Sequence, residues 1–467
     1  MLTTRTDSLL NRALAAACPE SANDADVVRK FETLFALLQE NVSPYSRRFL
    51  NYWDKVPARK QLLETSASRR GVVRFDDAWK LLTAFCFTTG APHRWRDDIP
   101  ALVTHWLSSP SNVSGMVDSE TTDSWRSLLA AWSRLGEAGF KVTRADSPLL
   151  QKRKEKFRFI DLFAGVGGFR LAMQEAGGHC VFSSEWDQKA RETYFQNYGE
   201  WPFGDLTGFT GDHRQEGIPP FIPAHDILTG GFPCQPFSQA GQKLGFDDAR
   251  GTLFFDILKI ARARRPAALF LENVKGLKGH NKGHTFRVIC KALEESGYSV
   301  YSEVLSAKDY GVPQNRQRIF IVAFRDKVDF RFPDHAPESK RKSLDELLEK
   351  NARDFTISDR MWTGHRNRKA RHRSNGNGFG YSLFKRTADY VNTISARYWK
   401  DGSEILIHQP RRNPRTLTPR ECARLQGFPD TFRLHTSKRA NYQQFGNSVA
   451  VPVIKAIAKE ILKSLDI

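Results

Sequence analysis

Apolar residues recur three and four positions apart in the first third of the chain. Val27, Phe31, Leu34 and Leu38 share one helical face, as do Trp125, Leu128, Leu129 and Trp132. Residues 1–150 are therefore expected to form a helical N-terminal extension. Six of the ten tryptophans, at positions 53, 79, 95, 106, 125 and 132, fall within it, and at helical spacing such residues serve as core. The basic run 151–156 reads as a surface linker, and beyond it the pattern changes. Short apolar runs at 157–163, 179–185, 225–230, 267–272, 298–306 and 318–324 read as strands. They alternate with amphipathic stretches such as 285–296, where Phe286, Ile289, Cys290 and Leu293 line one face. Strand and helix in alternation predict an α/β fold built on a doubly wound sheet.

Composition narrows the function classes. The 467 residues suffice for several domains, and 40% of them are hydrophobic. No run approaches the roughly 18 apolar residues of a membrane span, and residues 1–20 are too polar for a signal peptide. A soluble, intracellular protein with no membrane partner is expected. The cysteines, Cys18, Cys86, Cys180, Cys234, Cys290 and Cys422, include no Cys-x-x-Cys pair, which argues against a disulfide framework and against a metal site. The formal net charge of +19 favours a polyanionic partner. It is unevenly placed: residues 1–150 hold 19 basic and 17 acidic side chains, whereas residues 361–420 hold 13 basic and 3 acidic ones. The second stretch interleaves its cations with Trp362, Phe379, Tyr381, Tyr390, Tyr398 and Trp399 and with several glycines, a composition suited to nucleic acid.

Four segments carry candidate chemistry. Phe159-Ile-Asp-Leu-Phe-Ala-Gly-Val-Gly-Gly168 is a strand entering a glycine turn and then a helix; its Gly165-x-Gly167-Gly168 spacing departs from the dinucleotide fingerprint. The next strand ends at Glu185-Trp-Asp187, placing an acid where a ribose is commonly held, with Trp186 beside it to stack on an adenine. An exposed acid next to a half-buried Trp is the bland alternative. Gly230-Gly-Phe-Pro-Cys-Gln-Pro-Phe-Ser238 follows a strand, so Cys234 lies in a stiff loop at a carboxyl end, as a positioned nucleophile would. Glu272 ends another apolar strand, where a carboxyl group is costly to bury. Gln314, Arg316 and Arg318 alternate into the last strand and share one face.

These segments, in this order, resemble the cytosine-C5 DNA methyltransferases, and the resemblance runs from Phe157 through Arg415–Pro429 and Gln444–Val449 to the C-terminus. Tyr398–Ile407 and Gly376–Gly380 are similar, more narrowly, to the bacterial Dcm group acting on CCWGG or CCNGG sites. The resemblance implies a Rossmann-like domain at 157–329, completed by 440–467, and a smaller target-recognition domain at 330–439. It implies S-adenosylmethionine as methyl donor, double-stranded DNA as partner, base flipping, a monomer in the bacterial cytoplasm, and a possible cognate restriction enzyme. By the same resemblance Cys234 is the nucleophile, Glu272 protonates N3 of the cytosine, and Arg318 contacts the base carbonyl with Arg316 in support. Phe163 and Trp186 enclose the adenine, Glu185 takes the ribose hydroxyls and Asp205 the adenine amino group, while Gly165, Gly167, Pro233, Asn447 and Val449 line the rest. Arg411, Arg412 and Arg415 are expected on phosphates. The motifs leave open a tRNA cytosine methyltransferase, and the N-terminal extension leaves open a DNA-binding regulator.

Overall fold

Each apolar run beyond residue 156 is long enough for one strand and is bounded by turn residues, and all six runs meet in a single sheet. The computed structural model describes residues 72–89, 98–109, 113, 116–117, 119–132, 141–150, 155–210, 222–233, 253–337, 342–376, 378 and 380–467. Two compact units emerge, Met1–Ser147 with Gly199–Trp201, and Pro148–Tyr198 with Pro202–Ile467.

In the first unit, strand β1 (Val72–Val73) precedes helices α1 (Phe75–Thr89), α2 (Ile99–Ser108) and α3 (Ser119–Trp132), and β2 (Lys141–Val142) pairs in parallel with β1. Trp79, Trp106 and Trp125 are buried, the last two edge to face at 5.3 Å. Trp53, Trp95 and the face Val27–Leu38 lie outside the described residues.

The second unit runs β3 (Phe157–Leu162), α4 (Gly168–Glu175), β4 (Gly178–Ser184), α5 (Gln188–Tyr198), β5 (Ile227–Gly231), α6 (Leu253–Arg264), β6 (Ala268–Val274), α7 (His284–Glu295), β7 (Ser299–Ser306) and β8 (Gln317–Phe324). The strands lie in the order β4-β3-β5-β6-β8-β7. The first four are parallel; β8 runs antiparallel to both its neighbours. The sheet is thus mixed, a reversal that strand and helix alternation alone does not reveal. Phe159, Ile160, Leu228, Phe270 and Ile321 are fully buried within it, each worth about 1.5–3 kcal/mol of transfer free energy. Beyond the sheet come α8 (Asp359–Ser374), the short parallel pair β9 (Leu383–Phe384) and β10 (Leu406–Ile407), α9 (Pro419–Leu425), α10 (Lys438–Asn447) and α11 (Val451–Ser464). The buried face of α11, including Val453, Ile454, Ile457 and Ile461, packs back on α4.

Asp161 is the penultimate residue of β3, fully buried, and desolvation pushes its carboxyl up to about 8 against the pull of Arg170. A pKa raised on folding means stability that is complete below the unfolded value of about 3.9 and is lost as pH climbs towards 8. Asp161→Asn should therefore flatten the fall in urea midpoint between pH 5 and 8.5. A variant whose midpoint tracks the parent across that window would show that the carboxyl is already ionised.

Candidate active site

The cofactor side of the site is built where β3 and β4 end. Phe163 and Gly165 both take φ +55° and Gly167 φ +83°, turning the chain sharply into α4. Position 167 requires glycine twice over, since a Cβ there would lie 2.3 Å from the Tyr198 ring. At Gly165 a Cβ would meet nothing within 4 Å, so the space above the turn is open. Glu185 is buried and anchored to that turn: its Oε2 accepts from the Gly165 amide and its Oε1 from the Asp187 amide, each at 2.8 Å. Burial raises its pKa while these amides oppose the rise. Trp186, next in sequence, is 80% exposed. Asp205 is exposed and accepts from the Thr207 amide at 3.0 Å. Pro233 and Asn447 are exposed, whereas Val449 is buried with its Cγ2 against the Gly168 turn. An anchored acid, an open turn and a bare indole fit an adenosine-bearing group.

The second side forms across β5, β6 and β8. Glu272 on β6 lies beside Gly231 of β5 and opposite Phe320 of β8, so Arg318, two residues away, reaches it diagonally on the same face. Arg318 Nε stands 3.0 Å from Glu272 Oε1, both side chains largely buried. Burial raises the Glu272 pKa, and Arg318 and then Arg316 pull it down. Arg316 turns elsewhere: its Nη1 donates to Ile394 O at 3.3 Å, and its Nη2 to Gly446 O at 3.2 Å and Ser448 O at 2.7 Å. The sequence puts both arginines on one face, but only Arg318 pairs with the acid.

Cys234 lies outside the described residues, which end there at Pro233 and resume at Leu253. The segment leading to it is held by a residue that sequence reasoning passed over. Asn273 Nδ2 donates to Phe232 O at 2.8 Å, and its Oδ1 accepts from the Val274 amide. The available signal was a second polar residue directly after Glu272 at the end of an apolar strand. The described cysteines are poor thiolates: burial pushes Cys86 up to about 12 and Cys290 to about 11, raises Cys422 as well, and Cys180 is buried. Among the described residues no cluster of His, Cys, Asp or Glu could hold a metal, and no helix is long and apolar enough to cross a membrane.

The expectation of phosphate contact is corrected for Arg415. It is buried, and its Nη1 and Nη2 each lie 2.8 Å from a carboxylate oxygen of Glu421. Glu421 is itself fixed by a capping box with Thr418 at the start of α9. Arg415 is thus a structural ion pair, while Arg411 and Arg412 remain exposed.

Residues 157–463 match the family described as C-5 cytosine-specific DNA methylase. Type II methyltransferase M.NlaX of Neisseria lactamica is 54% identical over 314 residues, covering 66% of this chain and 97% of that protein. Type II methyltransferase M.DsaV of Dactylococcopsis salina is 52% identical over 319 residues, 67% of this chain and 88% of that protein. Among solved structures, the Entamoeba histolytica methyltransferase EhMeth matches with a TM-score of 0.53 at 18% identity, over 67% of this chain and 99% of that one. At that identity the likeness is one of fold.

Proposed function

The chain belongs to the C-5 cytosine-specific DNA methylase family, and from that membership we propose how its own residues carry the transfer. It is a DNA (cytosine-5) methyltransferase using S-adenosylmethionine; when bound, that cofactor supplies an electrophilic methyl group on sulfonium. Cytosine is a weak electrophile at C6, so the Cys234 thiolate adds there while the Glu272 carboxyl holds and protonates N3. The enamine so formed is nucleophilic at C5 and takes the methyl group. Loss of the C5 proton then expels the thiol. Arg318 holds the base carbonyl and keeps Glu272 oriented. Glu185, Trp186, Phe163, Gly165, Gly167, Asp205, Pro233, Asn447 and Val449 form the cofactor cradle. Because C6 is inaccessible within a duplex, the cytosine is flipped into this pocket. The observation carrying the reading is the buried Glu272–Arg318 pair near the carboxyl end of β6, where Asn273 holds the Phe232 carbonyl two residues before Cys234.

The sheet domain comprises 157–329 and 440–467, the target-recognition domain 330–439, and residues 1–150 a helical extension. The target is a short duplex site of CCWGG or CCNGG type. Base-resolution mapping of 5-methylcytosine in a plasmid from a methylation-free bacterial host expressing this chain tests the assignment, with host tRNA examined in parallel. Methylation at one such site is expected; modified tRNA beside unmodified plasmid would overturn it.

Helix α8 supplies duplex affinity in this reading. Of its sixteen residues only His365 is buried, while Arg360, Arg366, Lys369, Arg371 and Arg373 are exposed. A helix polar all round gains little from packing, and this one is held by the Ser358 cap and by Arg368, which bonds His365 and Asp401. Its exposed cations suit phosphates. Replacing those five with Gln should weaken binding to any duplex and flatten the plot of log K against log salt by about 0.9 for each phosphate no longer neutralised. An unchanged salt slope in a filter-binding titration would remove α8 from the interface.

A further inference from the structure

Gln314 and Arg316 precede β8 and are almost wholly buried, yet neither reaches an acidic side chain with a hydrogen bond. Their bonds go to main chain from three separate stretches. Residues 313–316 lie alongside 391–394: Val391 N donates to Pro313 O at 2.9 Å, Asn315 N to Val391 O at 2.8 Å, and Thr393 Oγ1 to Asn315 O at 2.7 Å. Ile394 is gripped at both ends, its N–H donating to Gln314 Oε1 at 3.0 Å and its carbonyl accepting from Arg316. Gln314 Nε2 goes on to Leu425 O at 2.9 Å, and Arg316 to Gly446 O and Ser448 O. Those last two carbonyls close the C-terminal end of α10, where the helix dipole favours a cation, and they flank Asn447 of the cofactor cradle. Gly446 itself meets the recognition stretch backbone to backbone, since a Cβ on it would lie 2.4 Å from Ser395 main-chain atoms.

We propose that Gln314 and Arg316 are positioning residues through which segment 391–396 sets the geometry of the Arg318–Glu272 pair and of the Asn447 loop, so that a wrong base pair in the site is read as slow chemistry. The inference rests on the assignment of 391–396 to the target-recognition domain and of Glu272 and Arg318 to the reaction. Main-chain bonds carry it because they move with the segment whatever its side chains do. Arg316 stands two residues from Arg318 and shares the field of Glu272, whose pKa both arginines lower. A guanidinium bonds three carbonyls from one rigid plane, which an ammonium on a flexible stem cannot reproduce. A shift of 391–396 on a mismatched duplex therefore displaces Arg316, and with it the start of β8.

Arg316→Lys tests this in single-turnover methylation and in duplex binding. The substrates are the mapped cognate site and the same site with one substituted base pair. The cognate rate constant is expected to fall at least tenfold with duplex Kd within about twofold, while the substituted-site rate falls less, so that discrimination in the chemical step shrinks at least fivefold. The Kd of S-adenosylmethionine should rise. Equal losses on both duplexes, or wild-type rates, would overturn the proposal and leave Arg316 a stability residue. Should the Lys variant not fold, Thr393→Val removes one bond of the same set and should compress discrimination about threefold; unchanged discrimination there is equally fatal. Failure of the catalytic assignment itself would instead be seen in the Glu272 and Cys234 variants, on the cognate site alone.

Discussion

Replacing Glu272 with Gln should lower kcat by about 10²–10⁴ with little change in the KM of either substrate. The amide is isosteric and still donates to N3 of the cytosine, so the base is held, but no proton passes to it. The geometry makes the acid fit for that transfer. Burial raises the Glu272 pKa and the two arginines only partly offset the rise, so the carboxyl keeps its proton to higher pH than an exposed glutamate. Wild-type rates should consequently fall on the alkaline side as Glu272 ionises, and the Gln variant should lose that limb. The substitution also replaces the carboxyl group that Arg318 packs against, so the folded fraction is checked by circular dichroism before rates are compared. A variant within tenfold of the parent, its alkaline limb intact, would exclude Glu272 as the acid.

Much of this site was legible because it depends on short-range pattern. All six strands follow from apolar runs of strand length, and Glu185, Glu272 and the glycine turn are placed by their position at strand ends. What pattern could not supply was partnership. Arg411, Arg412 and Arg415 look alike in a basic run, yet Arg415 alone finds Glu421, six residues on, and is buried with it. Arg316 and Arg318 share a face in the sequence, but their targets lie over a hundred residues apart in the chain for Gly446 and Ser448, and on the neighbouring strand for Glu272. The reversal of β8 was invisible for a similar reason. An alternation of strands and helices fixes which elements are present, whereas direction is set by the short connection of residues 307–316, which returns the chain beside β6.

Cys234→Ala should abolish methyl transfer altogether, the largest single effect expected in this chain, while the Kd of S-adenosylmethionine stays within about threefold of the parent. Attack at C6 needs a thiolate. Burial holds Cys86, Cys290 and Cys422 protonated well above neutral pH, and Cys180 is fully buried on β4. Of the remaining two, Cys18 belongs to the N-terminal 150 residues, outside the family match, whereas Cys234 directly follows Pro233, next to the carbonyl that Asn273 fixes. A duplex carrying 5-fluorocytosine at the target separates addition from turnover. Fluorine at C5 cannot leave as a cation in place of the proton, so the methylated adduct is stranded on the enzyme. The parent and Cys18→Ala should both give a denaturation-resistant complex with that duplex, and Cys234→Ala none. Turnover by the Cys234 variant, or a trapped complex formed without this thiol, would mean that another group opens the reaction, and the roles drawn for Glu272 and Arg318 would have to be rebuilt around it.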